Sequence, residues 1–250
     1  MDDSLAEAHA ALAHTYAVEW NWSAASHEFS QALKLDPNMM RGNPCHYVEF
    51  LMAAAEQEEA ICEIERLHAA RPLESFLGLT VGWAHYGYRD YDSALRVHQE
   101  VLKNDPQYAL AHLMLGYDYS QKKRYRTAIA HFRKTLSNGE TRLALNALGY
   151  AYALAGDKDA AKEVLNELKR LLKTSFASPY ALAAIYAGLG EQEAALDYLA
   201  RAFERRDPEL IWLKWDPHLD NLRSDPRFQR LLNQMGLPST PNPSPREPHL

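Results

Sequence analysis

The chain has 250 residues, 47% hydrophobic and 24% charged, which is enough apolar material to bury a core and too much for a disordered polymer. Its formal net charge of -6 repels phosphate and argues against a nucleic-acid partner. Cys45 and Cys62 stand in neither a metal-ligand nor a disulfide spacing, no charged-then-apolar leader opens the sequence, and no run nears the roughly 18 apolar residues of a membrane helix, so a cytoplasmic chain without membrane contact is expected.

In chain order, a predicted helix pair over residues 6–39 carries Leu12 and Ala13 on its first helix and Ala25 and Phe29 on its second. The pattern returns over 41–74 with Tyr47, Val48, Ala60 and Ile64, and over 75–108 with Val81, Gly82 and Ala94. It continues over 109–141 with Leu115, Gly116, Ala128 and Phe132, then over 142–175 with Leu148, Gly149, Ala161 and Leu165. A sixth copy over 176–209 has Leu182, Ala183, Ala195 and Leu199. The recurring alanines lie 35, 34, 34, 33 and 34 residues apart, a fixed period of the kind that signals stacked repeats.

The period has a mechanical meaning. Two helices cross closely only where a contact position carries almost no side chain, and bulky residues one turn away fill the flanking space. Tyr16, Tyr119, Tyr152 and Tyr186 continue the first-helix stripe four residues on, at helical spacing. Asp36-Pro37 and Asp105-Pro106 close second helices, because proline cannot continue the bonding ladder and forces the residue before it out of helical geometry. Pro72 does the same after the second unit, whereas Glu140 and Lys173 stand at the fourth and fifth boundaries.

Farther on, Asp207-Pro208, Asp216-Pro217 and Asp225-Pro226 each precede an apolar run and read as helix starts, with Asp as cap and Pro in the first turn. Residues 210–237 are therefore expected to form a helical cap over the last unit, with Trp212, Trp215, Phe228, Leu231, Leu232 and Met235 as its core. The proline-rich stretch 238–250 is expected to be disordered.

The in-phase pieces "LAHTY", "LGYDY" and "LGYAYALAG", with "LKLDP" closing the first unit, resemble the tetratricopeptide repeat. The resemblance implies an all-α solenoid of about six helix-turn-helix units that binds protein or peptide without catalysis. Trp20, Trp22 and "LRSDPRF" further resemble the repeat regions of large bacterial regulators. In those proteins the repeats follow a kinase, cyclase or winged-helix domain, so control of an attached domain is the alternative reading.

Family geometry places the face of each first helix that looks away from its paired helix on the concave side. It implies a partner-binding groove of Phe76, Leu79, Trp83, Tyr86, Leu110, Leu113, Tyr117, Asn146, Tyr150 and Tyr180. Glu7, His14, Cys45 and Glu49 are the counterparts in the first two units. The sequence leaves open whether these aromatics face an open groove or pack on one another.

Catalytic constellations are missing from the sequence. "HEFSQ" has Gln31 where a zinc-protease helix needs its second histidine. His85 and His98 are expected to face each other inside the third unit with His112 nearby, a core arrangement rather than a metal site. "QKKRYR" and "EQEE" read as solvated turns, and no cofactor is expected.

Overall fold

The computed structural model describes residues 3–36, 45–54, 57–139, 141–173 and 178–237, and within them the backbone forms helices and no strand. Six helix pairs follow one another. They are α1 (Asp3–Val18) with α2 (Trp22–Leu35), α3 (Cys45–Ala54) with α4 (Gln57–Ala70), and α5 (Ser75–Gly87) with α6 (Tyr91–Asn104). The second half pairs α7 (Ala109–Gln121) with α8 (Tyr125–Ser137), α9 (Thr141–Leu154) with α10 (Lys158–Leu172), and α11 (Pro179–Gly188) with α12 (Gln192–Glu204). Each second helix packs on the first helix of the following unit, which makes the stack an all-α solenoid.

The periodic small residues lie at the close approaches. Ala25, Ala60, Ala94, Ala128, Ala161 and Ala195 are all fully buried. A Cβ on Gly116 would sit 2.2 Å from the Phe132 ring, and one on Gly82 2.2 Å from His98, so the helices touch through the missing side chain. Phe29, Ile64, Phe132, Leu165 and Leu199 are buried one turn on, as the stripe predicts. Leu12 departs from its siblings: it is 41% exposed, whereas Val81, Leu115, Leu148 and Leu182 are buried. In the later units a preceding helix pair covers this position, and among the described residues none covers α1.

The turns inside the units repeat as well. Trp20, Arg89, Lys123, Gly156 and Gly190 adopt φ of 62°, 64°, 59°, 80° and 76°, the left-handed geometry that reverses the chain within a few residues. The residue after three of them caps the next helix: Asn21, Asp90 and Asp157 accept from the N–H of Ala24, Ser93 and Ala160. At the unit boundaries Asp36 and Asp105 are extended, with φ of -136° and -135°, as a residue before proline must be.

Beyond α12 the three Asp-Pro pairs open two 3-10 helices, Pro208–Trp212 and Pro217–Leu222, and α13 (Pro226–Gln234). Asp207, Asp216 and Asp225 accept from the N–H of Glu209, His218 and Arg227 at 3.1, 2.9 and 2.7 Å. The expected cap core is divided. α13 buries Phe228, Leu231 and Leu232 together with residues of α11 and α12, and Met235 joins them. Trp212 and Trp215 instead run with the 3-10 helices as a strap across the concave side, in ring contact with Trp83. Gly87 makes room for this, since a Cβ there would meet the Trp215 ring at 2.2 Å, and Arg89 pairs with Asp220 and donates to the Trp215 carbonyl at 2.5 Å.

The two ends of the solenoid meet. Trp22 Nε1 donates to the Met235 carbonyl at 2.5 Å, Trp20 packs on Phe203 with ring centroids 4.9 Å apart, and the Arg206 guanidinium lies 4.1 Å from the Trp20 ring centroid. The superhelix therefore closes on itself around the strap. Residues 238–250, expected to be disordered, lie outside the described residues.

Candidate functional site

The first helices α5, α7, α9 and α11 present one face each to the concave side, at spacings of three, four and seven residues on α5 and α7 and of four on α9. Phe76, Leu79 and Trp83 come from α5, Leu110, Leu113 and Tyr117 from α7, Asn146 and Tyr150 from α9, and Tyr180 from α11. Together they line one cavity of about 400 Å³. Its opposite wall is the strap, through Glu209, Trp212, Asp216 and His218.

Tyr86, expected in the groove, does not line the cavity. It is fully buried behind Trp83, whose ring stacks on it at 5.0 Å, and its hydroxyl lies 3.2 Å from His218 Nε2. The strap fills the space that the helix pattern alone assigns to solvent. The earlier units contribute unevenly. Glu49 lines the cavity, and His14 lines a second one of about 210 Å³ that shares Glu49, Glu209 and Trp212 with the first. Glu7 is exposed and lines neither, and the Cys45 side chain lies outside the described residues.

A buried polar chain ties the strap to the helices. Gln121 donates to the Tyr86 hydroxyl at 3.1 Å, Tyr86 meets His218 Nε2, and His218 Nδ1 lies 2.5 Å from Asp216, which also accepts from the Tyr180 hydroxyl at 2.7 Å. Nδ1 of His218 faces the carboxylate and Nε2 faces the Tyr86 hydroxyl. Burial by itself raises the pKa of Asp216, but the charge and hydrogen bonds of His218, with the Tyr180 hydroxyl, outweigh it and hold the carboxyl below its ordinary range. Burial pushes the Tyr117 and Tyr180 phenols up, and the Asp216 charge adds to it. Burial and then Asp207 raise the pKa of Glu209, against the opposing ion pair with Arg142 at 2.7 Å.

His85 and His98 do not face each other as pictured. His98 is fully buried with Nδ1 2.7 Å from Asp118 and Nε2 3.2 Å from the Leu79 carbonyl, while His85 points to Glu65 and Asp90 at 3.4 and 3.3 Å. His112 pairs with His131 at 3.0 Å. Among the described residues no group of three or more His, Cys, Asp or Glu could hold a metal ion, and no helix is long and apolar enough to cross a membrane.

Two features escaped the sequence reading. Glu209, Asp216 and His218 are not among the groove residues that the helix pattern implies, although "WLKWDPHLD", which holds two of them, carries two indoles and three charges, a mixture unlike a plain apolar cap. The His98–Asp118 pair had a clearer signal. His98 stands where the other units have Phe29, Ile64, Phe132, Leu165 and Leu199, and Asp118 where they have the buried Phe50, Ala84, Ala151 and Ile185. Two polar residues at in-phase core positions are expected to satisfy one another.

Residues 144–171, within the fifth helix pair, match the family model described as the tetratricopeptide repeat. That stretch carries the pattern of a tetratricopeptide repeat, the kind of helix pair that serves as a protein-interaction scaffold. No curated protein matches it. Among solved structures it is similar to the crystal structure of MamA protein, at 16% identity over 82% of this chain and 93% of that one, with a TM-score of 0.44. A likeness of that degree carries no statement about function.

Proposed function

We propose that the chain is a non-enzymatic scaffold that captures a short segment of a partner protein in the cavity between its first helices and the C-terminal strap. The observation that carries this reading is convergence. Nine residues chosen for one face of four successive helices line a single cavity, with Trp83, Tyr117, Tyr150, Tyr180 and Trp212 in its walls. Buried aromatic side chains dominate binding energy where partners insert anchors into pockets.

The strap sets the size of the guest. A volume of about 400 Å³ is near the lower end of the roughly 300–1,000 Å³ typical of ligand pockets. That admits one or two side chains of a segment, not a helix laid along the whole superhelix. Ala184 lines the cavity on α11, and Ala184→Phe fills it from a helix already formed. Crosslinking of the intact chain in lysate identifies the partner, and Ala184→Phe is expected to weaken its capture at least about tenfold, or about 1.4 kcal/mol, with the helical signal intact. Equal capture by both proteins would refute the reading.

A further inference from the structure

We propose that α1 carries a second docking surface, on the side that the later units turn to their predecessors. Its occupant is an amphipathic helix of another protein, laid on α1 as each second helix lies on the following unit. The surface is separate from the cavity, so this proposal is independent of the groove reading.

The first ground is register. Ala8, Leu12 and Thr15 form one stripe of α1, at spacings of four and three residues, and all three are exposed, Leu12 to 41%. Leu5, seven residues before Leu12 and 51% exposed, extends the stripe. The counterparts are buried: Leu77, Val81 and Ala84 in the third unit, where α4 packs on α5, and Ala144, Leu148 and Ala151 in the fifth, where α8 packs on α9. A single exposed leucine is ordinary, but a whole stripe that is buried in register elsewhere has the form of a helix contact presented to solvent.

The second ground is polar and in the same phase. Four residues beyond the positions of Leu12, the later units carry His85, Tyr119, Tyr152 and Tyr186, and the preceding second helix meets each of them. His85 Nε2 lies 3.4 Å from Glu65, and the Tyr119 and Tyr152 hydroxyls accept from Gln99 and Arg133 at 3.2 and 3.3 Å. The Lys169 ammonium lies 5.3 Å from the centroid of the Tyr186 ring. Tyr16 holds this position on α1, and its side chain has no such partner among the described residues. The covering helix is therefore small or aliphatic along one stripe and carries Gln, Lys or Arg where it reaches the phenol.

The chain itself does not supply that helix. In a second copy, five second helices already lie between two first helices, and α12 packs on α13. Two α1 helices face to face bring no Gln, Lys or Arg to Tyr16, because Asp3–Val18 contains none. The stretch 238–250 holds five prolines, which a helix does not accommodate.

A capped peptide of residues 124–138 is the probe, added to the full chain. In the intact protein this sequence forms α8, which lies on α9 and donates from Arg133 to Tyr152, the counterpart of Tyr16. A single short helix is marginal in water, so binding is followed by the amide resonances of α1, which respond even to millimolar ligands. Shifts are expected along Leu5, Ala8, Leu12 and Thr15. Leu12→Lys, at an exposed position, should weaken binding at least about tenfold with the helical signal unchanged. Tyr16→Phe in the chain and Arg133→Ala in the peptide should each weaken it by about threefold, and the two together no further.

Unshifted α1 resonances overturn the proposal, and so does an affinity that Leu12→Lys leaves unchanged. Additive effects of the Tyr16 and Arg133 changes overturn the pairing that defines the helix. A dimer that forms with rising concentration and is dispersed by Leu12→Lys overturns it in favour of a second copy. Adsorption to phosphatidylcholine vesicles through Leu12, without peptide binding, overturns it in favour of lipid. Neither Leu12 nor Tyr16 lines the cavity, so Ala184→Phe tests the groove reading separately.

Discussion

His98 and Asp118 are both fully buried, and each sits where other units carry an apolar residue. Both ring nitrogens of His98 face acceptors, the Asp118 carboxylate and the Leu79 carbonyl. Removing one partner leaves a buried polar group unmet, whereas replacing both restores the apolar pattern. His98→Leu alone should cost about 3 kcal/mol or more, and the double change with Asp118→Ala should recover most of that loss in urea denaturation. A double variant as unstable as the single one would show that packing, not polarity, holds this junction. A second residue-scale consequence concerns acid. Burial, then the neighbouring His112 and Lys134, lower the pKa of His131 to about 4 from 6.5. The unfolded chain therefore takes up this proton first as pH falls below 6.5, and the stability present above that pH is lost progressively towards pH 4. Replacement by Gln removes one titrating ring, so His131→Gln should flatten the fall in Tm between about pH 7 and pH 5. An unchanged slope would place the acid sensitivity elsewhere.

At the scale of the helix pair, α7 and α8 show how little room the repeat leaves. Gly116 and Ala128 lie in the contact, and the ring of Phe132 fills the space where a Gly116 Cβ would be. Ala128→Leu adds volume to a close-packed contact and should destabilise by about 1–3 kcal/mol through overpacking. A thermal midpoint unmoved by that substitution would mean that the helices touch elsewhere. The same argument explains why the paired pattern is readable at all. A contact that excludes side chains tolerates only Gly, Ala or a small branched residue, so it recurs in register wherever the pair recurs.

Across the whole molecule, closure changes how the stack should come apart. In an open solenoid each unit leans only on its neighbours, and the ends fray first. Here Trp22 hydrogen-bonds the carbonyl of Met235, and Arg206 covers Trp20, so α2 and the α12–α13 region stabilise each other across the chain. Amide protection in α2 should therefore approach that of the middle helices. Trp22→Ala should lower protection in α2 and α13 together, by hydrogen exchange. Loss confined to α2 would show the ends to be independent. The scaffold role belongs to this scale too, because the cavity exists only where four helices and the strap meet.

By itself the sequence determined what depends on local period: the helix pairs, their small-residue contacts, the Asp-Pro boundaries, the three Asp caps near the end, and the face on which Leu79, Trp83, Leu113 and Tyr117 lie. These follow from short-range sterics and hydrogen bonding, which act within a turn or between adjacent helices. Only the tertiary structure decided where the strap goes, that Tyr86 is sealed behind Trp83, that His98 meets Asp118 rather than His85, and that the two ends touch. Apart from the stack of Trp83 on Tyr86, those contacts join residues from 20 to 213 positions apart. They depend on the small rotation added by each unit, which accumulates around the superhelix and has no signature in any single repeat.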